Sequence, residues 1–258
     1  MRRHLPEEPI SVAAIWSRRL AVFAATVALF AVALARLRKL DPIAALTVLG
    51  SGVALSLLAV LLFVSACVVI WRTGCRGVGE AAMGIVFAAL TLAYPAFLSV
   101  EAVRLPLLAD ISTDIADPPH FSLSAKALAA RRGFVAPDVD PRARAAQRGA
   151  YSDVEPILVD LDMEEATTAV ARAAATLGWR IVDQRPAGGR SGDAHVDFLD
   201  QSLVMGFDED IAARLRPLPG QTRIDLRAAS RYGRHDFGAN ARRIRKFAEA
   251  LQAQIDAR

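Results

Sequence analysis

Residues 43–71, "IAALTVLGSGVALSLLAVLLFVSACVVIW", carry no charged side chain. A helix crossing a bilayer needs about 20 apolar residues at a rise of about 1.5 Å each, so this run is ample for a tilted span. Two more apolar runs flank it. Residues 20–35, "LAVFAATVALFAVALA", are charge-free, and "AAIW" extends them upstream past Arg18 and Arg19. Long arginine stems snorkel toward headgroups, which places that pair at the interface. Residues 81–100 are uncharged between Glu80 and Glu101, and Pro95 is expected to kink their helix. The reading is three spans, about 13–36, 43–71 and 80–103, within a transmembrane region over residues 1–105.

Gly52 with Ser56 and Gly84 with Ala88 have the small-xxx-small spacing that lets helices approach closely, although abundant alanine and glycine explain the pattern equally well. No ionisable residue falls mid-span, which argues against a pump or transporter. Cys67 and Cys75 lack a C-x-x-C spacing and read as structural thiols.

The chain is 53% hydrophobic yet 22% charged, too apolar for an ordinary soluble protein and too charged for a purely membrane one. Residues 1–105 hold 10 Lys+Arg against 5 Asp+Glu, whereas residues 106–258 hold 21 against 22. The basic excess therefore flanks the apolar runs, where cations orient helices, and gives no support to nucleic-acid binding. Arg2, Arg3, Arg18, Arg19, Arg72 and Arg76 would share one side, and Arg36, Arg38, Lys39 and Arg104 the other. That excess predicts a cytoplasmic N-terminus in a bacterial inner membrane and, after three spans, a periplasmic C-terminal domain. A signal peptide cleaved after the A-x-A of Ala33 and Ala35 would leave the domain on the same side.

The next stretch, "RLPLLADISTDIADPPHF" (104–121), sets Asp110, Asp114, Asp117 and His120 at spacings that suggest metal ligation. Pro106, Pro118 and Pro119 discourage the long helix that would gather the aspartates on one face. No metal is assigned. The stretch reads instead as a hinge whose aspartates, with Pro118, fix the backbone. Residues 106–150 as a whole read as a seam and irregular linker with one short helix near 124–131.

Residues 151–258 carry regular patterning. "PILVDL" (156–161) and "WRIVD" (179–183) read as strands. Between them Asp162 and Glu165 form a capping box for a helix that Gly178 closes. Residues 186–192 read as a flexible turn. Ile211, Ala213 and Leu215 alternate with Arg214 and Arg216, and across Pro219-Gly220 the residues Ile224, Leu226 and Ala228 alternate with Arg223, Asp225 and Arg227. Pairing Leu215 with Ile224 sets Arg214 opposite Asp225, and the arginine face is read as solvated. A last helix starts near Phe237 with Asp236 as its cap. Phe237, Ile244, Phe247, Leu251 and Ile255 form its buried stripe, while Arg242, Arg243 and Lys246 face solvent or anionic headgroups. The expected fold is an all-α transmembrane region of three helices followed by an α+β domain, an antiparallel sheet with helices packed on one face.

Ser230, His235 and Asp236 invite a hydrolase triad, but adjacent His and Asp rarely set the ring between its two partners, and no G-x-S-x-G elbow occurs. His195, beside Asp193 and Asp197, has no zinc-ligand pattern around it. "DED" (208–210) reads as a strand-entry turn rather than a hard-cation site. No cofactor is expected.

Four stretches carry a family resemblance: "DISTDIADPPHF", "YSDVEP" (151–156), "MGFDEDIAARLRP" (205–217) and "RIDLRAASRYGRHDFGANARRIRKF" (223–247). Over residues 110–250 or so the chain resembles the bacterial and plastid family called domain of unknown function 1499. Arg227, Ser230, Arg231, Gly233, Asp236, Gly238, Asn240 and Arg243 match its last motif, while Ala228 and His235 stand where serine is usual. The resemblance implies an extracytoplasmic, often membrane-tethered setting and brings no activity with it.

The leading expectation is a non-enzymatic binding or interaction domain in envelope maintenance, with the lipid bilayer, envelope proteins or anionic lipids as partners. Two alternatives stay open: an envelope-directed enzyme with a cleft around Ser230, Asp236, Asn240 and arginines, and a metal-binding membrane-proximal module.

Overall fold

A computed structural model describes residues 8–188 and 192–256; Arg2, Arg3, His4 and residues 189–191 of the 186–192 turn lie outside them. The chain forms two compact units that divide between Val100 and Glu101. The first is built from α1 (Val12–Arg36), α2 (Pro42–Thr73) and α3 (Val78–Arg104), all long and apolar enough to cross a membrane. Ser11 caps α1, and Asp41, followed by Pro42, caps α2, satisfying backbone N–H groups that lack helical partners. Gly74, with φ of 70°, ends α2 in the left-handed conformation that glycine adopts without strain. α3 runs unbroken through Pro95.

Small residues set how closely these helices pack. A methyl group on Gly52 would lie 3.3 Å from the Ala24 carbonyl oxygen, and one on Gly84 would collide with Ser17. Ser56 and Ala88, the partners in the two small-xxx-small pairs, are fully buried. Ser17 also donates its hydroxyl to Ala59 O at 2.9 Å, so α1 and α2 are joined by a hydrogen bond where no water competes.

In the second unit β1 (Asp110–Ser112), β2 (Ile157–Val159), β3 (Arg180–Arg185), β4 (Ala194–Gln201), β5 (Asp208–Leu218) and β6 (Gln221–Ser230) form one antiparallel sheet. The meander β3-β4-β5-β6 supplies most of it, and β1 and β2 pair end to end along the outer edge of β6. Leu215 pairs with Ile224 and Arg214 with Asp225, the register expected from the alternation. Helices α6 (Met163–Thr176) and α7 (Ala239–Asp256) cover one face. Their Val170, Ala173, Ile244, Phe247 and Leu251 pack with Val196, Phe198, Ile211, Leu215 and Leu226 into the main core, where Trp179 stacks on Phe247. As expected, Asp162 caps α6 and Gly178 follows it with φ of 76°.

Several expectations need correction here. Residues 106–150 are more than a seam and irregular linker: beside the expected short helix, α4 (Ala125–Ala130), they contain β1 and α5 (Pro141–Ala150). Gln147 of α5 exchanges two hydrogen bonds with Ser112, at 2.6 and 3.2 Å, and so protects the edge that β1 would otherwise expose. Phe121 packs on Ala212 and Ala229, and Ala127 on Val182 and Leu199, so residues 113–137 roof the sheet face read as solvated. Asp208–Asp210 belong to β5 rather than to a turn. Phe237 lies outside α7 with φ of 53° and stacks on His235 instead of entering the core.

Candidate functional site

The roofed face of the sheet is an ionic layer. Arg214, Arg216 and Arg223 converge on three carboxylates. Asp114 accepts from Arg216 at 2.7 Å and Arg223 at 2.8 Å, Asp117 from Arg214 at 2.8 Å, and the fully buried Asp225 from Arg223 at 2.8 Å. Burial pushes the Asp114 carboxyl up, but the Asp117 N–H and the Arg216 and Arg223 guanidinium groups outweigh it and hold the group below the usual carboxylate range. Asp110 sits apart, gripped by Arg227 at 2.6 to 3.1 Å. There burial prevails over the guanidinium and raises the carboxyl. Arg227 also donates to Pro119 O and Pro137 O.

A second ionic group adjoins it. Arg131, only 2% exposed, pairs with Asp197 and lies 3.4 Å from Asp210, and its Nη1 donates to Ser122 O at 2.6 Å. Asp197 also meets His195 Nε2 at 2.8 Å, while Arg231 grips Asp210 with two bonds of 2.8 Å. Phe121 is held between the guanidinium groups of Arg131 and Arg227, about 5 Å from each. Guanidinium groups this heavily engaged have few donors left for an incoming anion, so the layer fixes the roof onto the sheet.

On the opposite face a polar row crosses three strands beneath the first turn of α7. Asp200, Glu209 and Ser230 are register partners on β4, β5 and β6. Arg243 donates to Asp200 at 2.6 Å and to Asn240 Oδ1 at 2.6 Å, and Asn240 Nδ2 donates to Ala109 O at 3.0 Å and Ser230 Oγ at 3.1 Å. Asp236 accepts from the N–H groups of Gly238 and Asn240, ending the chain reversal into α7. Glu209 is buried and its Oε2 has no partner. Burial raises its pKa to about 7 against the opposing pull of Arg243 and Ser230, with Asp236 and Asp200 adding to the rise. The chemistry this row supports is proton exchange at Glu209 near neutral pH.

The family model described as "Protein of unknown function (DUF1499)" matches residues 110–251, more than half of the chain. The chain belongs to this family. No curated protein and no solved structure matches it. The DUF1499 match begins on the first residue of β1 and ends on Leu251, the last fully buried residue of α7, so the family domain includes the roof.

Set on this frame, the DUF1499 motif residues divide between the two faces. Ser230, Asp236, Gly238, Asn240 and Arg243 gather at the start of α7, whereas Arg227 and Arg231 bind the roof side through Asp110 and Asp210. Asp110 and Asp114 join different arginine clusters, Asp117 turns back on Asp114 through its N–H, Pro118 is buried and His120 is exposed. Among the described residues, no three His, Cys, Asp or Glu side chains group as metal ligands. Arg243, read as outward-facing, is buried, because its long stem reaches beneath α7 to Asp200. His235 accepts the Phe237 N–H on Nδ1, and Asp236 is engaged with backbone, so the adjacent pair does not assemble a triad with Ser230. The sequence does not single out Arg131, marks Asp197 only as a neighbour of His195, and marks Glu209 only within the acidic run at 208–210.

Proposed function

We propose that this protein is an integral inner-membrane protein of three spans that displays its DUF1499 domain in the periplasm, where it binds an envelope component rather than catalysing a reaction. One observation carries the non-catalytic reading. The motif side chains Asp236, Asn240 and Arg243 tie the start of α7 to β4, to β6 and to Ala109 just before β1 through hydrogen bonds of 2.6 to 3.1 Å. The excess of cations on the N-terminal side supports the orientation. Protease treatment of intact spheroplasts tests it: the domain should be digested, and protection would overturn the topology. For binding against catalysis, a Ser230→Ala chain should restore detergent resistance to a deletion strain as fully as the parent. A folded variant that fails to do so favours the second reading, an enzyme built around Ser230, Asp236, Asn240 and arginines. That reading draws on the protonatable Glu209 hydrogen-bonded to Ser230.

A further inference from the structure

We propose that a groove on the α1–α3 side of the membrane unit binds an anionic phospholipid. It is an open groove of about 500 Å³ lined by Arg18, Arg19, Val22, Phe23, Thr26 and Met83. Arg19, Val22, Phe23 and Thr26 recur at i, i+3, i+4 and i+7, so they form one stripe along α1. From its cationic end the stripe becomes apolar within about 10 Å, the rise of seven helical residues. Met83 adds a flexible thioether from α3, and the next residue, Gly84, lets α3 approach α1 because any side chain there would strike Ser17. Thr26 returns its hydroxyl to Val22 O at 2.9 Å, so its polar group is satisfied within α1.

The charges decide the ligand class. Arg18 is paired with Glu80 at 2.7 Å, which neutralises it while leaving part of its guanidinium exposed. Among the described residues no carboxylate pairs with Arg19, whose guanidinium lies 5.6 Å from the Trp16 ring centroid. Tryptophan and arginine together mark headgroup depth. One net positive charge with fork-shaped donors therefore stands at the mouth, above Val22, Phe23 and Met83, which are 38%, 58% and 47% exposed on helices suited to a bilayer. A phosphate accepting from the guanidinium with its acyl chain on those side chains satisfies both halves. A zwitterionic headgroup carries its own cation and gains less.

The full chain in nanodiscs of equimolar phosphatidylglycerol and phosphatidylcholine, released and weighed by native mass spectrometry, provides the test. The parent should retain phosphatidylglycerol roughly fivefold over phosphatidylcholine, the preference worth about one near-surface arginine. Arg19→Gln should bring the ratio close to one, and Lys39→Gln in the α1–α2 connection should leave it unchanged. If Arg19→Gln does not fold, Val22→Glu, which sets an anion in the stripe, should abolish retention. An unchanged ratio in the folded Arg19→Gln chain, or an equal fall in Lys39→Gln, overturns the proposal. Displacement of the lipid by millimolar inorganic phosphate would do the same and identify a free anion as the ligand.

Discussion

Glu209 and Ser230 stand directly opposite one another on β5 and β6, hydrogen-bonded beneath the first turn of α7. Because the folded pKa of Glu209, about 7, lies above its ordinary 4.5, the folded state holds the proton that the unfolded chain releases across that interval. Stability contributed at this position therefore falls as pH rises from 4.5 to 7 and stays lower above it, by roughly 3 kcal/mol. Glu209→Gln should remove that decline and leave the domain's thermal midpoint above the parent's at pH 8. A variant that keeps the parent's slope between pH 5 and 8 would show that another group titrates.

Arg131 faces two buried carboxylates, Asp197 and Asp210. Arg131→Met should destabilise the domain by about 3–5 kcal/mol, since it leaves the fully buried Asp197 without its guanidinium partner, whereas Asp210 keeps Arg231. Arg131→Lys should lose less, because it keeps the charge but not the fork that serves Asp197 and Ser122 O together. Thermal melts of the three chains check the order.

Gly238 combines a φ of 74° with close neighbours: a Cβ there would lie 2.8 Å from Leu105 Cδ1 and 3.1 Å from Arg242 Nη1. Gly238→Ala should cost about 1–3 kcal/mol. Adding Leu105→Ala should recover only the steric part of that loss, and full recovery would mean that the left-handed backbone is unstrained.

Asn240 is fully buried and joins Ala109 O, Ser230 Oγ and Arg243. Asn240→Ala should destabilise by about 2 kcal/mol because the partners lose their bonds away from water. Ser230→Ala should cost less. Denaturant midpoints of both variants measure the difference.

The parts of the fold that were legible in sequence obey a short period. Charge-free runs mark α1 to α3, and strict alternation about Pro219-Gly220 yields the β5–β6 register down to Arg214 opposite Asp225. The roof was not legible, because residues 113–137 contain only one short helix and contact the sheet through single side chains such as Phe121 and Arg131. Nothing local distinguishes Arg131 from a solvated arginine. The same limit explains Arg243, whose position off the apolar stripe suggests exposure although its stem extends to Asp200. Of the candidate site, the motif residues at the start of α7 were named in advance. Their partners Asp200 and Glu209 depended on strand register and on the hydrophobic face of α7 together.

The placement of β1 has a consequence for the order of events in synthesis. Its three residues pair with Arg227 to Ala229, more than a hundred positions later in the chain. The first strand after α3 must therefore wait, unpaired, until β6 has been made. Such distant pairing slows folding, because loop closure precedes any stabilising contact. Until then the nascent segment exposes Ile111, a residue with no solvent contact in the finished domain. Folding of this domain should therefore gain from rapid synthesis of the residues between β1 and β6, or from a chaperone that holds the segment beginning at Asp110.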